Sequence, residues 1–556
     1  MLESPAIGSD LRQLAPSQLR DALSDLIPRD VSAEERVHVI EAGLRSPLGQ
    51  SLRDAMARWI VDEIVPVERL VPESYVKWRP PVRDAMMFVV ARLSPARLAP
   101  KLLEQIDLPE KTPAEERLLR LIARVPGLQK LGQVIARNPH LRPALRKALA
   151  RLENGIRDVQ AADMRSIIEQ RLGPRFQQYS VRIGPAILKE ASVSAVIRFS
   201  WRNPESGRRE KGVFKVLKPH IPEYFAEDMD YLAGLADYFG SRHHSYGFPA
   251  QLIPDTFRKV RRLLRHEVNF VREQKTLVEA GNLYRNMSGV RVPRLIHLLC
   301  TPAITALSEE RGIKITNAAA RLPASRRRKI AEQLIAALIA TPLLSAHKDP
   351  IFHGDPHAGN LLYDTRREEL IIIDWALRER LSLELRRHLA LLFLTVTLRD
   401  PMGACSEVLS LSQENIRIDS PRAIVILRLV RNYLDNFPTK HLPSPADAVR
   451  LLERVALEGI RFPRALIILS KVMVTLDGIL SDIAGDGAIL GFEVARLVGQ
   501  HWISNRDEFR SPLMPSDWIK LQCSVLIGAG RLWLKGEQAL LDRLLPANSM
   551  AQTASA

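Results

Sequence analysis

The spacing of hydrophobic and polar positions changes along the chain and predicts two kinds of structure. Up to about residue 190, apolar residues recur three and four positions apart, as over residues 144–152 and 161–172, which predicts amphipathic helices. Ser17 and Ser32, each followed by acidic or amide residues, are typical helix starts. The first 125 residues contain no repeat and no catalytic motif, so their role stays open.

Strand-like alternation begins near residue 192. Residues 192–201, a turn at Asn203 to Gly207, and residues 212–217 predict a hairpin, and residues 289–293 and 302–307 are again strand-like. Residues 255–284 between them predict one long helix. From Ala324 onward the pattern is helical apart from residues 351–375.

This order of elements predicts an α+β protein that is helix-rich overall. We expect an N-terminal helical region at residues 1–125, a helical extension at 126–190, a small strand-rich lobe at 191–310 and a helical lobe at 311–545. The functional site of such a protein is expected between the two lobes.

The charge of the chain favours anionic partners. Lys and Arg number 80 against 63 Asp and Glu, a net charge of +17, and the basic residues are spread along the chain. A positive charge of this size favours binding to phosphorylated ligands, anionic lipids or nucleic acid. The alternative is a solvated, Arg-rich surface that binds no such partner. Three widely separated cysteines, Cys300, Cys405 and Cys523, predict buried free thiols.

The apolar segments are too short to predict a membrane span. No run reaches about 18 apolar residues, and the first residues lack the pattern of a secretory signal. Residues 334–346 predict a buried helix, and residues 521–534 predict an amphipathic helix that is packed or lies on a membrane surface. We therefore expect a cytoplasmic protein, either free or attached peripherally to the inner face of a membrane.

The segment around Asp355 carries the strongest chemical signal. His353, Asp355 and Asn360 have the His-x-Asp-x4-Asn spacing of a kinase catalytic loop, and Asp374 follows an apolar run that predicts a buried strand. One Asn and one Asp suffice to hold Mg²⁺ beside phosphate oxygens, which gives Asn360 and Asp374 the metal-binding role. A structured turn, or a zinc site from His353, His357 and Asp355, are the alternatives.

Phosphate binding requires a cation upstream of this loop. Lys215 lies within the predicted strand at residues 212–217, and such a lysine requires a carboxylate to hold it. The helix that follows offers Glu267 and Glu273, which would point about 120° apart on one continuous helix. Residues 189–196 contain no glycine. Their backbone amides could still bind phosphate, but in a loop conformation that differs from that of a Gly-rich loop.

Taken together, these residues resemble the UbiB/AarF family of atypical kinase-like proteins linked to quinone-lipid biosynthesis. The likeness covers residues 125–400 and includes the K-x-G-Q signature of that family, an Ala-rich loop in place of the Gly-rich loop, and the first acid of an E-x-D motif. The resemblance implies catalytic roles for Asp355, Lys215 and Glu273. It implies nucleotide-binding roles for Lys130, Gln133, Ala191, Ser192, Val193, Ser194, Ala195, Lys215 and Glu267.

The resemblance further implies a protein-kinase-like fold, ATP with Mg²⁺, and association with membranes and lipid-synthesis proteins. Three positions depart from the family pattern. Asn269 replaces the aspartate of E-x-D, Asp374-Trp-Ala376 replaces Asp-Phe-Gly, and Glu190 stands where the family has a small residue. A carboxylate at position 190 is expected to repel ATP phosphates.

The leading hypothesis is an ATP-dependent kinase or ATPase that supports quinone or isoprenoid-lipid synthesis. The expected partners are ATP, anionic or quinone-precursor lipids and lipid-synthesis proteins, with a homodimer as a further option. The alternatives are a catalytically weak nucleotide-binding scaffold and a small-molecule phosphotransferase of the aminoglycoside- or choline-kinase type. Nucleic-acid binding rests on charge alone and ranks last.

Overall fold

The computed structural model describes residues 30–484 except 48, 137–142, 155–158, 438–442 and 444, together with 512–517, 519, 522 and 525–526. The described chain is mainly helical with small sheets, which confirms the predicted helix-rich α+β class. Predictions on Ser17, on Cys523 and on most of residues 521–534 fall outside the described residues.

The helices are α1 (Ala33–Arg45), α2 (Gly49–Trp59), α3 (Val67–Leu70), α4 (Arg79–Arg92), α5 (Pro95–Asp107), α6 (Ala114–Ile122), α7 (Pro126–Ala136), α8 (Pro143–Ala150), α9 (Ala161–Leu172), α10 (Pro174–Gln178), α11 (His220–Ser241), α12 (His243–Tyr246), α13 (Leu252–Glu267), α14 (Phe270–Leu283), α15 (Ile315–Ala319), α16 (Ala324–Ile335), α17 (Thr341–Leu344), α18 (Leu383–Thr397), α19 (Pro401–Leu411), α20 (Pro421–Asp435), α21 (Pro445–Leu457) and α22 (Arg464–Ala484). The strands are β1 (Arg182–Glu190), β2 (Ser194–Arg202), β3 (Arg209–Leu217), β4 (Val290–Arg291), β5 (Ile304–Ser308), β6 (Ile313–Lys314), β7 (Ile351–His353), β8 (Leu361–Asp364), β9 (Glu369–Ile372) and β10 (Arg378–Arg380).

The chain divides into two compact units. The first comprises Met1–Arg272 and Leu295–Glu309, and the second comprises Glu273–Arg294 and Glu310–Ala556. The division falls inside helix α14.

Helices before and after the sheet of the first unit share one hydrophobic core. Residues from α1 to α8 are buried together with residues of α11 and α13, and Trp59, Leu102, Leu235 and Leu264 are typical members. Burial of a large apolar side chain contributes about 1.5–3 kcal/mol, so this core is the main stabilising element of the N-terminal region. The predicted helices at the start of the chain are therefore integral to the unit wherever the structure describes them.

The first unit also contains an antiparallel sheet with the strand order β1-β2-β3-β5. The predicted hairpin is confirmed as β2 and β3, and Gly207 adopts a φ of 65° in its turn, a conformation that favours glycine. The helical prediction for residues 182–190 is wrong, because they form β1. The strand pattern of β1 is hidden in the sequence because the strand contains Gly184 and Pro185 and because most of its side chains are exposed.

The second unit contains the sheet β4-β9-β8-β6, the pair β7-β10 and the helices from α15 onward. The predicted buried helix at 334–346 is confirmed over α16, a π turn at Ala336–Ala340, and α17. Tyr284 donates its hydroxyl hydrogen to the Ala337 carbonyl at 2.8 Å within this turn. Pro342 follows this π turn inside the otherwise continuous helix, where its missing N–H removes one backbone hydrogen bond.

Two further expectations concern thiols and membrane spans. Cys300 and Cys405 carry free thiols that are partly or fully buried, as predicted, and burial raises the pKa of each to about 11. Among the residues that the structure describes, no helix has both the length and the apolar character that crossing a bilayer requires.

Candidate functional site

Two short strands of the second unit hold the predicted catalytic loop. Strand β7 ends at His353 and β8 begins at Leu361, so the connection carries Asp355 and Asn360. Asn360 is only 4% exposed, and its side-chain nitrogen donates to the Asp355 carbonyl at 3.2 Å. The Asn360 side-chain oxygen accepts no hydrogen bond from the described residues. A metal-binding role for this oxygen remains a prediction.

His353 connects this loop to the chain that precedes Asp374. Its Nδ1 accepts from the Asp355 backbone N–H at 3.2 Å, and its Nε2 donates to the Ile373 carbonyl at 3.1 Å. Burial lowers the pKa of His353, although the charges of Asp374 and Asp355 oppose that shift. The ring is therefore neutral. Since both ring nitrogens are used inside the fold, the zinc alternative with His357 loses its central ligand.

Asp374 lies just beyond a buried strand, as the sequence predicts. Strand β9 ends at Ile372, and Asp374 has a left-handed backbone with a φ of 62°. Aspartate tolerates this conformation better than most residues with a Cβ atom. Ala376 is not among the described residues of positive φ. Alanine in place of the glycine of Asp-Phe-Gly therefore causes no backbone strain here.

Trp375 fills the core beneath the loop. Its indole N–H donates to the Ile372 carbonyl at 3.2 Å, and the ring is fully buried. The rings of Trp375 and His353 meet edge to face with 4.9 Å between centroids, and Tyr284 lies 6.0 Å away by the same measure. Packing of this kind favours one orientation of the imidazole.

The structure adds a cation that the sequence analysis did not identify. The ammonium nitrogen of Lys471 on α22 lies 2.7 Å from Asp355 Oδ1. Gly354 permits the approach, because a Cβ at that position would lie 3.3 Å from Ile468 Cγ2 of the same helix. The two partners stand 116 positions apart in the sequence, and no motif surrounds Lys471. No sequence signal could have found it.

The first unit brings together three of the predicted residues. Lys130 on α7 forms an ion pair with Glu267 Oε1, and the Ser192 hydroxyl donates to Glu267 Oε2 at 3.2 Å. Gln133 lies one turn after Lys130, but its side-chain nitrogen donates to the Leu152 carbonyl at 2.9 Å. A direct contact of Gln133 with nucleotide remains a prediction.

The Ala-rich segment forms a tight turn between β1 and β2. The Ala191 N–H donates to the Ser194 carbonyl at 2.8 Å, and the Val193 carbonyl accepts from the Lys218 N–H at 3.0 Å. The backbone N–H groups of Ser192 and Val193 donate to no acceptor among the described residues, so they remain open to a phosphate oxygen. The segment is otherwise closely packed, with four residues at most 5% exposed: Ser192, Val193, Ser194 and Ala195.

Glu190 is paired with a buried lysine. Its carboxylate is buried at the end of β1 and lies 3.2 Å from the ammonium nitrogen of Lys218, which is itself fully buried. A buried charge requires such a partner. The repulsion expected between Glu190 and phosphate remains a prediction, and the charge of Lys218 beside Glu190 would oppose it. Lys218 was also missed in the sequence, although it stands only three positions after Lys215.

Lys215 lies on β3 with Val196 and Thr305 as its neighbours on the adjoining strands. Its ammonium nitrogen is 5.5 Å from the centre of the Phe270 ring, within cation–π range. Glu273 is buried in the first turn of α14. Lys215 belongs to the first unit and Glu273 to the second, and their pairing remains a prediction.

Glu267 and Glu273 do not share one helix, which corrects the sequence-based expectation. Helix α13 ends at Glu267, and α14 begins at Phe270. Between them, Asn269 Oδ1 accepts from the Arg272 backbone N–H at 2.9 Å and caps α14. The angle of about 120° assumed a continuous helix and is therefore wrong. Asn269, which replaces the expected aspartate, has a structural function here.

Comparisons with known proteins support a kinase-like domain. Residues 151–407 match the family model of the ABC1 atypical kinase-like domain. The Arabidopsis thaliana chloroplastic protein ACTIVITY OF BC1 COMPLEX KINASE 7 is 25% identical over 362 residues, which cover 64% of this chain and 50% of that protein. A probable protein kinase UbiB from Actinobacillus pleuropneumoniae is 24% identical over 277 residues, which cover 49% of this chain and 50% of that protein. The chain thus spans about half the length of these two relatives.

Two further similarities lie outside named kinases. A Clostridium pasteurianum protein, called an uncharacterized protein in the hydrogenase 1 5′ region, is 22% identical over 434 residues, covering 74% of this chain and 78% of that protein. A solved structure of an Rv3197–erythromycin complex from Mycobacterium tuberculosis aligns with a TM-score of 0.41 at 16% identity. That alignment covers 64% of this chain and 87% of the solved chain.

Proposed function

We propose that the protein binds ATP with Mg²⁺ and transfers or hydrolyses the γ-phosphate, and the premise is the match of residues 151–407 to the ABC1 atypical kinase-like domain. The supporting observation is the hydrogen-bonded unit around His353. One imidazole is hydrogen-bonded to the backbone of Asp355 and to that of Ile373, the residue before Asp374. Both carboxylates therefore extend from the same rigid, hydrogen-bonded frame. Such preorganisation is what phosphoryl transfer requires of a protein, because positioning and electrostatics provide most of the catalysis.

The loop residues then take distinct roles. Asp355 orients the attacking hydroxyl group and accepts its proton. The Asn360 side-chain oxygen and the Asp374 carboxylate are hard oxygen ligands of the kind that Mg²⁺ prefers, and they would hold the ion. When bound, the ion would neutralise charge on the β- and γ-phosphates. His353 remains neutral and structural throughout.

The first unit would contribute phosphate contacts. Lys215 is the proposed cation for the phosphates, and Glu273 is its proposed carboxylate partner. The open backbone N–H groups of Ser192 and Val193 are suited to a phosphate oxygen. The ion pair of Lys130 with Glu267 would hold the Ala-rich turn through the hydroxyl of Ser192.

The proposal is tested by following ADP release from Mg-ATP with the purified chain. Asp374→Asn should lower turnover by about a hundredfold, because one charge of the metal-binding pair is lost. Asp419→Asn makes the same change at an exposed ion pair with Arg417 and should leave turnover unchanged. Equal turnover in the native chain and Asp374→Asn would refute the assignment of Asp374.

A second candidate is a nucleotide-binding scaffold without significant turnover. It is favoured by the close packing of the Ala-rich turn, in which Val193 belongs to the helical core and Ser192 is bonded to Glu267. A turn held in this way closes over nucleotide less readily than a Gly-rich loop. Binding of a fluorescent ATP analogue with no ADP release, in the native chain and in Asp374→Asn alike, would favour this candidate.

We further propose that the protein attaches to anionic membranes and supports quinone-lipid synthesis, as the name UbiB of its relatives suggests. Helix α13 concentrates basic residues on its exposed side, although the sequence-wide distribution is even. A basic residue near an anionic bilayer contributes about 1 kcal/mol to attachment. The exposed basic residues of α13 are Arg258, Lys259, Arg262 and Arg265.

Vesicle flotation tests the membrane proposal. The native chain should float with phosphatidylcholine vesicles that contain phosphatidylglycerol and not with phosphatidylcholine alone. Replacing the four α13 residues by Gln should abolish flotation. A control with Gln at residues 326–329 removes the same charge from α16, where Arg326 and Lys329 are paired with Glu368, and should float normally. An equal loss of flotation in both variants would show that net charge, and not a site on α13, attaches the protein to the vesicles.

A further inference from the structure

Helix α22 reaches the catalytic loop with one face. Arg464, Ile468 and Lys471 stand at intervals of four and three residues and therefore share a face. Arg464 Nε lies 3.0 Å from Glu379 Oε1 on β10, and Ile468 contacts the position of Gly354. Lys471 lies on this same face, and its ammonium nitrogen is 2.7 Å from Asp355 Oδ1.

Stability does not account for the position of Lys471. Its side chain is 42% exposed and that of Asp355 is 27% exposed, and such partly exposed pairs contribute only about 0–1 kcal/mol. The opposite face of α22 already anchors the helix through buried Leu466, Leu469 and Met473. Lys471 therefore lies on a well-packed helix beside Asp355, the candidate catalytic acid.

The chemistry of the loop lacks a cation of its own. Residues 354–360 read Gly-Asp-Pro-His-Ala-Gly-Asn and contain neither Lys nor Arg. Phosphoryl transfer develops charge on the oxygens of the transferred group, and a nearby fixed cation stabilises that charge. Lys471 has three N–H donors, and one of them is sufficient for its contact with Asp355 Oδ1.

We propose that Lys471 is a catalytic residue that donates hydrogen bonds to the transferred phosphoryl group and keeps Asp355 oriented toward the acceptor. This inference rests on the proposed ATP-dependent function. It also extends the site beyond the domain match, because residue 471 lies outside residues 151–407. Helix α22 would thus complete the catalytic site of the second unit.

Phosphoryl transfer at this site replaces one bond at the γ-phosphorus by another. The acceptor oxygen, from a hydroxyl group or water, forms a bond to the γ-phosphorus. The bond from that phosphorus to the bridging oxygen breaks, and its electron pair leaves with ADP. The acceptor proton passes to the carboxylate of Asp355, and Lys471 retains all its protons while it donates to the nonbridging oxygens.

The experiment compares three single variants of the full chain in Mg-ATP turnover. Lys471→Met should lower kcat by about a hundredfold with little change in the KM for ATP, since the contact forms with the group in transfer. Lys471→Arg should restore part of kcat because it keeps the charge. Arg464→Met removes the other ion pair on the same face and should keep a kcat close to that of the native chain.

A binding measurement separates the role in the transition state from helix packing. The complex of Mg-ADP with aluminium fluoride mimics the transferring phosphoryl group, so Lys471→Met should weaken its binding by about tenfold or more while Mg-ADP alone binds normally. Equal losses of kcat in Arg464→Met and Lys471→Met would overturn the inference in favour of helix docking. Unchanged or faster turnover in Lys471→Met would also overturn it, the faster rate indicating an inhibitory contact.

The native chain distinguishes the two levels of failure. Native turnover that is insensitive to Lys471→Met would refute the role of Lys471 alone. A native chain that neither turns over ATP nor binds the Mg-ADP–aluminium fluoride complex would refute the proposed function, and the role of Lys471 with it.

Discussion

The imidazole of His353 donates to the carbonyl of Ile373, one residue before Asp374, at 3.1 Å. The same ring accepts the backbone N–H of Asp355 at 3.2 Å. One neutral side chain thereby couples the two segments that carry the candidate catalytic acids. The arrangement depends on burial of the ring against Trp375, because exposure to water would allow either bond to be replaced.

Replacement of His353 by Phe should reduce the free energy of unfolding by about 2–4 kcal/mol. The aromatic ring preserves packing but leaves a partly buried N–H and a partly buried carbonyl without their partner, at about 1–3 kcal/mol each. Urea denaturation measures the difference, and His297→Phe at an exposed position serves as the control. A loss below about 0.5 kcal/mol would show that water replaces both bonds.

His353 should make the stability of the folded chain depend on pH. Burial lowers the pKa of His353 in the folded chain, so the unfolded chain binds its proton more readily. The stabilisation is fully present above the unfolded pKa of about 6.5 and is lost as the pH falls from that value toward the lower folded pKa. Unfolding curves of the native chain should therefore lose more stability between pH 7.5 and 5 than those of His353→Phe. Parallel pH profiles would contradict this prediction.

Restoring glycine at position 376 should bring no benefit. Ala376 does not adopt a positive φ, so Ala376→Gly gains no backbone freedom that the fold uses. We expect a loss of stability of up to about 1 kcal/mol from the greater entropy of the unfolded chain, with unchanged ATP turnover. Thermal unfolding and ADP release measure both quantities. A clear rise in turnover would show that the residue after Trp375 limits the activity.

Asn269 should behave as a helix cap and not as a lost catalytic acid. Asn269→Ala should cost about 1 kcal/mol of stability, because the Arg272 N–H loses its acceptor. Asn269→Asp should retain native stability, since the two residues cap equally well. Thermal unfolding of both variants tests this. Equal losses in the two variants would exclude the capping role.

A buried ion pair supports the helix that carries Lys130. Arg97 Nη1 lies 2.7 Å from Asp228 Oδ1, and the Gly127 N–H at the start of α7 donates to Asp228 Oδ2 at 2.7 Å. Asp228→Ala should cost about 3 kcal/mol, because the buried guanidinium loses its nearer counter-charge and keeps only Glu227, at 3.5 Å. Asp237→Ala removes an exposed acid from the same helix α11 and should change the unfolding free energy little. Similar effects of both substitutions in urea denaturation would refute the anchoring role.

Local patterns carried much of what could be predicted. The hairpin of β2 and β3, the buried strand β9 and the turn that bears Asp355 and Asn360 were all predicted, because alternation and turn chemistry act over a few residues. Strand β1 was missed, since Gly184, Pro185 and an exposed face conceal its alternation. The break between α13 and α14 was missed as well. No proline or glycine marks it, and Asn269 terminates the pattern only through a cap.

The sequence by itself was sufficient to predict the candidate catalytic loop of the second unit, because an acid, an amide and a second acid at these spacings belong to one short stretch of chain. Only the tertiary structure decided the partners of the charged groups: Lys218 for Glu190, Arg97 for Asp228 and Lys471 for Asp355. The physical reason is the range of electrostatic contact. An ion pair depends on atoms a few ångströms apart, and folding alone brings side chains separated by up to 131 positions (228 − 97) to that distance.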